Sequence, residues 1–258
     1  MFIEMNLYSQ ELKKSTQVNV LIPSKRKDPT KPHRVLWLFH GYSCNQTSWM
    51  RLTSIERYAT EHGLVVVMPD ADRCWYTDTV YHTNYYSFIT EELPGYLENV
   101  FQGISRDREY NTVAGLSMGG YGALKLSLLN PDRYGSCICL SGALDITRKG
   151  RKYDLELWQS VFGYDIQDAE DLAGSPYDLF SLTAEKRREG IQFPKIYMWC
   201  GLQDHLLENS RDYEQLLASL GVEHTYEESE GDHSWKWWDL HIQDALRHIY
   251  GEPQNHHD

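Results

Sequence analysis

The chain is predicted to be an α/β protein with a mostly parallel central sheet, on three observations. Five short apolar runs recur along it: Arg34 to Phe39 (RVLWLF), Leu64 to Met68 (LVVVM), Asn111 to Leu116 (NTVAGL), Cys137 to Leu140 (CICL) and Ile196 to Cys200 (IYMWC). None shows the polar/apolar alternation of a half-wet strand, and near-continuous apolar character is what a parallel strand covered on both faces requires. The stretches between them have helical length and composition, which supplies the crossovers that parallel neighbours need.

In chain order, Gln17 to Ile22 (QVNVLI) does alternate, so it is expected to be an antiparallel edge strand that begins the sheet. The first apolar run leads into His40-Gly41, a tight turn after a strand. The third leads through Gly115-Leu116-Ser117-Met118-Gly119-Gly120 into a helical run, Tyr121 to Leu129. Between the last two runs, residues 149–194 are rich in charge and aromatics and weakly periodic, with Trp158, Phe162, Tyr164 and Tyr177 spread through them. Such a long connection reads as a cap-like insertion, the alternative being ordinary surface helices. A last helix is expected from Trp235 to Tyr250, and residues 253–258 form a polar tail expected to fray.

A chain of 258 residues can bury a substantial core as one domain, 1–258, and no repeat or linker divides it. The net charge of −12 repels nucleic-acid phosphates and anionic lipid, so neither is expected as a partner and neutral small molecules are favoured. No apolar run approaches the ~20 residues that span a bilayer, and the Met1 to Gln10 segment lacks the basic and apolar regions of an export signal. The five cysteines, Cys44, Cys74, Cys137, Cys139 and Cys200, are odd in number and contain no CxxC pair. Neither a disulfide framework nor a zinc site follows from them, and reduced thiols in a cytoplasmic protein fit best. A homo-oligomer is left open.

The strongest local signal is the GxSxG motif around Ser117, because it stands directly after an apolar strand and directly before a helix. In that setting the serine sits on a sharp, strained turn, and Gly115 and Gly119 avoid collisions that a Cβ would make with strand and helix. The Met118 backbone N–H, at the positive end of the helix dipole, can then face an oxyanion formed at the attacked carbonyl. A hydroxyl is a poor nucleophile at neutral pH, so this reading demands a later histidine and a carboxylate to hold it. Asp204 follows the strand Ile196 to Cys200, and His233 stands in Gly231-Asp232-His233-Ser234 at the entry to the last helix. His205 and His224 are weaker competitors, while His241, His248, His256 and His257 fall in the last helix or the tail. Asp232 is the rival acid, but side chains adjacent in sequence usually diverge. A second oxyanion donor is expected after the first apolar run, where Gly41 lets the backbone approach and Tyr42 offers its N–H, with His40 holding the loop.

With these residues in place the chain resembles the esterase D-like family of the α/β-hydrolase fold, and within it the short-chain tributyrin esterases. The likeness runs through HGYSCNQTSW (40–49), MPDADRCWYTDT (68–79), EELPGYL (91–97), AGLSMGGYGALK (114–125), LSGALDI (140–146), CGLQD (200–204) and GDHSWKWWD (231–239). The resemblance implies Ser117 as nucleophile, Asp204 as acid, His233 as base, and an oxyanion hole at Met118 and the Tyr42 region. The chain departs from the family at Cys44 and at His82-Thr83-Asn84, positions that bear on specificity and leave the chemistry alone. Gly41, Trp75, Tyr76 and Trp235 are the candidate substrate-binding residues. The expected activity is therefore hydrolysis of short-chain acyl esters, with acetylated or feruloylated sugars among them, through an acyl-enzyme that needs neither metal nor organic cofactor. The alternatives are a thioesterase of the S-formylglutathione hydrolase kind and a non-catalytic carbohydrate-binding protein on the same fold.

Overall fold

The structure, a computed structural model, describes residues 1–23, 28–149 and 154–253. Its centre is one eight-stranded sheet formed by β1 (Phe2–Ser9), β2 (Lys14–Leu21), β3 (Arg34–Phe39), β4 (Leu64–Pro69), β5 (Asn111–Leu116), β6 (Ser136–Leu140), β7 (Lys195–Gly201) and β8 (His224–Ser229). The strand order is β1-β2-β4-β3-β5-β6-β7-β8, with the β1–β2 and β2–β4 pairings antiparallel and every pairing from β4 to β8 parallel. The helices are α1 (Ser48–Leu52), α2 (Ile55–His62), α3 (Tyr85–Ser87), α4 (Leu93–Val100), α5 (Met118–Leu129), α6 (Leu155–Phe162), α7 (Leu179–Glu189), α8 (Leu207–Ser219) and α9 (Trp235–Tyr250).

The apolar strands are buried on both faces because alternate side chains enter two different core layers. In β3, Val35, Trp37 and Phe39 join a layer with residues of α4, α5 and α8, while Leu36 and Leu38 join one with Trp49, α2 and α9. Truncating either leucine to alanine should cost about 2–5 kcal/mol, the range for an unrelieved core cavity. Helix α5 is buried from Met118 through Leu128, which is why its sequence is apolar on every side apart from the buried Lys125 and Ser127 and shows no polar stripe.

Both ends of the sheet differ from the sequence reading. Gln17 to Ile22 does not begin the sheet: β2 lies between β1 and β4, with Val18 and Val20 wholly buried, and β1 takes the edge. The edge strand β1 pairs with β2 along its whole length, Phe2 opposite Leu21 and Ser9 opposite Lys14. At the far edge, β8 is polar and half-exposed, so it carries no apolar run to betray it. The 149–194 segment also divides in two. Trp158 and Phe162 of α6 pack against Trp75, so this part closes over the Trp75 loop as an insertion would. Helix α7, in contrast, packs on α5 and α8 as an ordinary crossover helix between β6 and β7. Residues 150–153 of this segment and 254–258 of the tail lie outside the described residues. No helix among the described residues is long and apolar enough to cross a membrane.

Candidate active site

Four loops meet at the carboxyl ends of the parallel strands, where open α/β sheets place their ligands. Ser117 follows β5, Gly41 and Tyr42 follow β3, Asp204 follows β7 and His233 follows β8.

Ser117 adopts φ +53° and ψ −120°, a conformation that non-glycine residues avoid and that stores about 1–3 kcal/mol. Surrounding bonds hold it there: its N–H donates to Leu140 O at 3.0 Å, and its carbonyl accepts from Ala143 N at 3.1 Å and Tyr121 N at 3.1 Å. The turn closes only because its neighbours lack side chains. A Cβ on Gly115 would lie 2.2 Å from Gly119 O, and one on Gly119 would lie 2.6 Å from Phe39 O.

Ser117 Oγ lies 3.1 Å from His233 Nε2, and His233 Nδ1 lies 2.9 Å from Asp204 Oδ2 and 3.1 Å from Oδ1. With the ring proton on Nδ1 donated to the carboxylate, Nε2 keeps a lone pair toward the serine hydroxyl. The Asp204 side chain is wholly buried, and burial by itself would raise its pKa. The hydrogen bond and charge of His233, the Leu206 N–H at 2.8 Å and the Ser141 hydroxyl outweigh that and hold the carboxyl below the ordinary aspartate value. The rival acid Asp232 instead accepts the Ser234 hydroxyl. His241 is engaged by Asp244 and Ser229, and His224 by Glu214 and the Val222 carbonyl.

The Gly41-Tyr42 segment runs directly beside the serine. A Cβ on Gly41 would lie 2.8 Å from Leu116 Cδ1 and 3.5 Å from Ser117 Cβ. Met118 opens α5, so its N–H belongs to the first turn, which has no intrahelical acceptor. His40 is 1% exposed and ties the loop down: Nδ1 donates to Gly41 O at 2.8 Å and Nε2 accepts the Ala71 N–H at 2.9 Å.

The candidate substrate-binding residues separate by burial. Tyr76 is 0% exposed, stacks on Phe39 and donates its hydroxyl to His40 O at 2.8 Å, so it braces the loop from below and cannot line an open groove. Trp75, nearly buried, stands against Tyr42, Tyr121, Trp158 and Phe162. Half-buried Trp235 packs edge-on to Trp49 and Trp238. Two supporting residues escaped the sequence reading. Ser141, at φ +47°, accepts the Trp238 indole N–H at 3.0 Å and lowers the Asp204 pKa through its hydroxyl, and Gln203 binds Gly231. Their roles depend on contacts across loops, which no local pattern reveals.

Known proteins of the same build carry related activities. The chain is 30% identical to the acetyl esterase of Caldicellulosiruptor saccharolyticus, over 95% of this chain and 96% of that protein. Its fold matches the fluorophosphonate-binding serine hydrolase F of Staphylococcus aureus with a TM-score of 0.89, at 30% identity over 97% of this chain and 98% of that one. It matches an S-formylglutathione hydrolase of Staphylococcus aureus with a TM-score of 0.86, at 30% identity and the same coverage. Fold and relatives together define a serine carboxylic ester hydrolase on the α/β-hydrolase fold. Within that class the chain belongs to the esterase family described as "Putative esterase", whose match spans residues 9–249.

Proposed function

We propose that the chain hydrolyses short-chain acyl esters, acetyl and butyryl esters first, with Ser117 as nucleophile, His233 as base and Asp204 as orienting acid. The observation that carries this reading is the hydrogen-bonded line from Ser117 Oγ through both His233 nitrogens to Asp204. His233 Nε2 takes the hydroxyl proton as Oγ attacks the ester carbonyl, and the Asp204 carboxylate stabilises the imidazolium that forms. The oxyanion is met by the N–H groups of Met118 and Tyr42. Collapse releases the alcohol, which carries away the proton from His233. Water, deprotonated by the same nitrogen, then cleaves the acyl-enzyme and restores Ser117.

The acetyl esterase relative supports a short acyl group, and acetylated or feruloylated sugars are included in the proposal as further substrates. The S-formylglutathione hydrolase neighbour supports a second reading, a thioester substrate, since it passes through the same oxyanion. Gly41, beside Ser117, and Trp75, packed against Tyr42, are the residues proposed to shape the substrate side of the loop. The five free cysteines fit a reducing compartment, and a cytoplasmic location belongs to this proposal. The test is initial rates with p-nitrophenyl acetate, butyrate and octanoate and with S-formylglutathione, for wild type, Ser117→Ala and His233→Ala. Rates on acetate or butyrate should be highest and should fall at least ~10³-fold in each variant, since nucleophile and base act as a unit. A Ser117→Ala protein at full rate would end the assignment.

A further inference from the structure

A second imidazole, which the proposed acyl transfer does not use, stands beside His233. His205 directly follows Asp204, with its ring edge-on to that of His233 at 4.5 Å between centroids. Its Nδ1 lies 3.6 Å from Asp204 Oδ1. Donor atoms of Asp204, His205 and His233 all lie within 4.8 Å of one another. Zinc bonded at about 2.0–2.1 Å in a tetrahedron sets its ligands roughly 3.4 Å apart, so shifts of about an ångström bring these three donors onto one ion. Two imidazoles, one carboxylate and an open fourth position form a donor set that zinc accepts readily. Access is not symmetrical: the His205 side chain is 67% exposed, while that of Asp204 is buried. An ion arriving from solvent meets His205 first, drawn by the buried carboxylate and by a chain of net charge −12.

We propose that Asp204, His205 and His233 form an inhibitory site for Zn²⁺ or a similar divalent transition metal. The site acts by taking over the nitrogen that now carries the His233 proton. This inhibition rests on the esterase reading above. In the metal-free ring, Nδ1 holds the proton that it donates to Asp204, and the Nε2 lone pair faces Ser117. When the ion bonds to Nδ1, that proton leaves Nδ1 and the neutral ring is protonated on Nε2 instead. No bond to carbon changes, nothing is oxidised or reduced, and the ring gains no net proton. Nε2 then donates where it must accept, and the Ser117 hydroxyl has no base. Chelation reverses both steps.

The experiment measures zinc binding to the untagged full chain by competition with a chromophoric zinc chelator, for wild type, Ser117→Ala and His205→Asn. Hydrolysis of p-nitrophenyl acetate is followed in parallel. Wild type and Ser117→Ala should bind zinc alike, and His205→Asn should bind at least about 10–100-fold more weakly, since losing a direct ligand costs no less than disturbing a partner of one. Wild-type hydrolysis should fall with the same midpoint as zinc occupancy and return on adding EDTA. His205→Asn should keep its zinc-free rate and resist inhibition by at least the same factor. Equal zinc affinity in wild type and His205→Asn, or no binding by wild type, overturns the site. The binding arm needs no turnover, so the two readings fail separately. A chain that hydrolyses no ester yet binds zinc through His205 would support the site and overturn the esterase reading beneath it.

Discussion

Gln203 holds Gly231 by two hydrogen bonds, its N–H donating to the Gly231 carbonyl at 2.8 Å and its side-chain Oε1 accepting the Gly231 N–H at 2.9 Å. The two loops touch closely enough that a Cβ on Gly201 would lie 2.2 Å from Gly231 O. An exposed glutamine thereby fixes the loop that carries His233 to the loop that carries Asp204. Gln203→Ala keeps the backbone bond but strands the Gly231 N–H. Its kcat on p-nitrophenyl acetate should fall about 10-fold with KM little changed, because misplacing His233, the proposed base, weakens the transition state more than binding. Gln203→Glu retains an acceptor and should recover most of the loss. Wild-type kcat in Gln203→Ala would show that the loops hold their spacing without the side chain.

Asp204→Asn keeps the shape of the acid and removes its charge. An amide that turns its NH₂ toward Nδ1 forces the imidazole proton onto Nε2, where it cannot take the serine proton. In the serine-protease triad the equivalent change costs about 10⁴ in kcat, and a drop of that order is expected here. Asp232→Asn, which disturbs only the contact to Ser234, should stay within a few-fold of wild type. If the Asp232 variant is the dead one, the acid has been misassigned.

Two glycines separate catalytic geometry from folding. At Gly41 a new Cβ meets the flexible end of Leu116, 2.8 Å away, which can move aside. Gly41→Ala should fold with a melting temperature within a few degrees of wild type but lose about 10²-fold in kcat, the cost of displacing one proposed oxyanion donor. At Gly115 the obstacle is backbone, the Gly119 carbonyl at 2.2 Å. Gly115→Ala should fail to accumulate as folded protein, because neither strand nor helix can yield there. Comparing thermal melts with rates for the two variants tests both halves; a fast, stable Gly115→Ala protein would refute the steric argument.

What could be read from the sequence follows burial. Strands β3 to β7 announce themselves because both faces are covered and every position is selected for apolar character. Strand β8 (HTYEES) lies at an edge with half-exposed residues, so its pairing with β7 is imposed by tertiary context. Strand β1 does alternate, but its Ile3, Met5 and Leu7 only partly cover the core, and the signal is correspondingly faint. Ser117, Asp204 and His233 stood out because each follows a legible strand or precedes a legible helix. Ser141 did not, since its value lies in touching Trp238, 97 residues away, and Asp204 on another loop. Tyr76, a candidate substrate-side residue in the sequence, instead donates its buried hydroxyl to the His40 carbonyl.

Lys125 offers a prediction about stability that is independent of catalysis. It lies on α5 at 2% exposure, with Nζ donating to Trp75 O at 3.1 Å and to Thr77 Oγ1, against the rings of Tyr121 and Tyr177. These bonds hold the loop in which Trp75 and Tyr76 both adopt φ +52°. Burial pushes the ammonium pKa down from 10.5 to about 7, with the charge of Asp78 opposing that only weakly. Below pH 7 the folded and unfolded chains both carry the proton, and folding bears the full cost of burying the charge. Between pH 7 and 10.5 the unfolded chain still binds the proton while the folded one has released it, so stability rises with pH across that window. The slope reaches at most about 1.4 kcal/mol per pH unit. Burial holds the Tyr134 and Tyr213 phenols well above the ordinary tyrosine value, so they do not titrate in this range. Urea unfolding of wild type and Lys125→Met at pH 6.5 and 8.5 isolates the contribution. The stability of wild type relative to the variant should increase by about 2 kcal/mol between the two pH values. A difference that stays flat would mean that Lys125 keeps its proton in the fold, and that the carbonyl and hydroxyl around it stabilise the charge far better than burial penalises it.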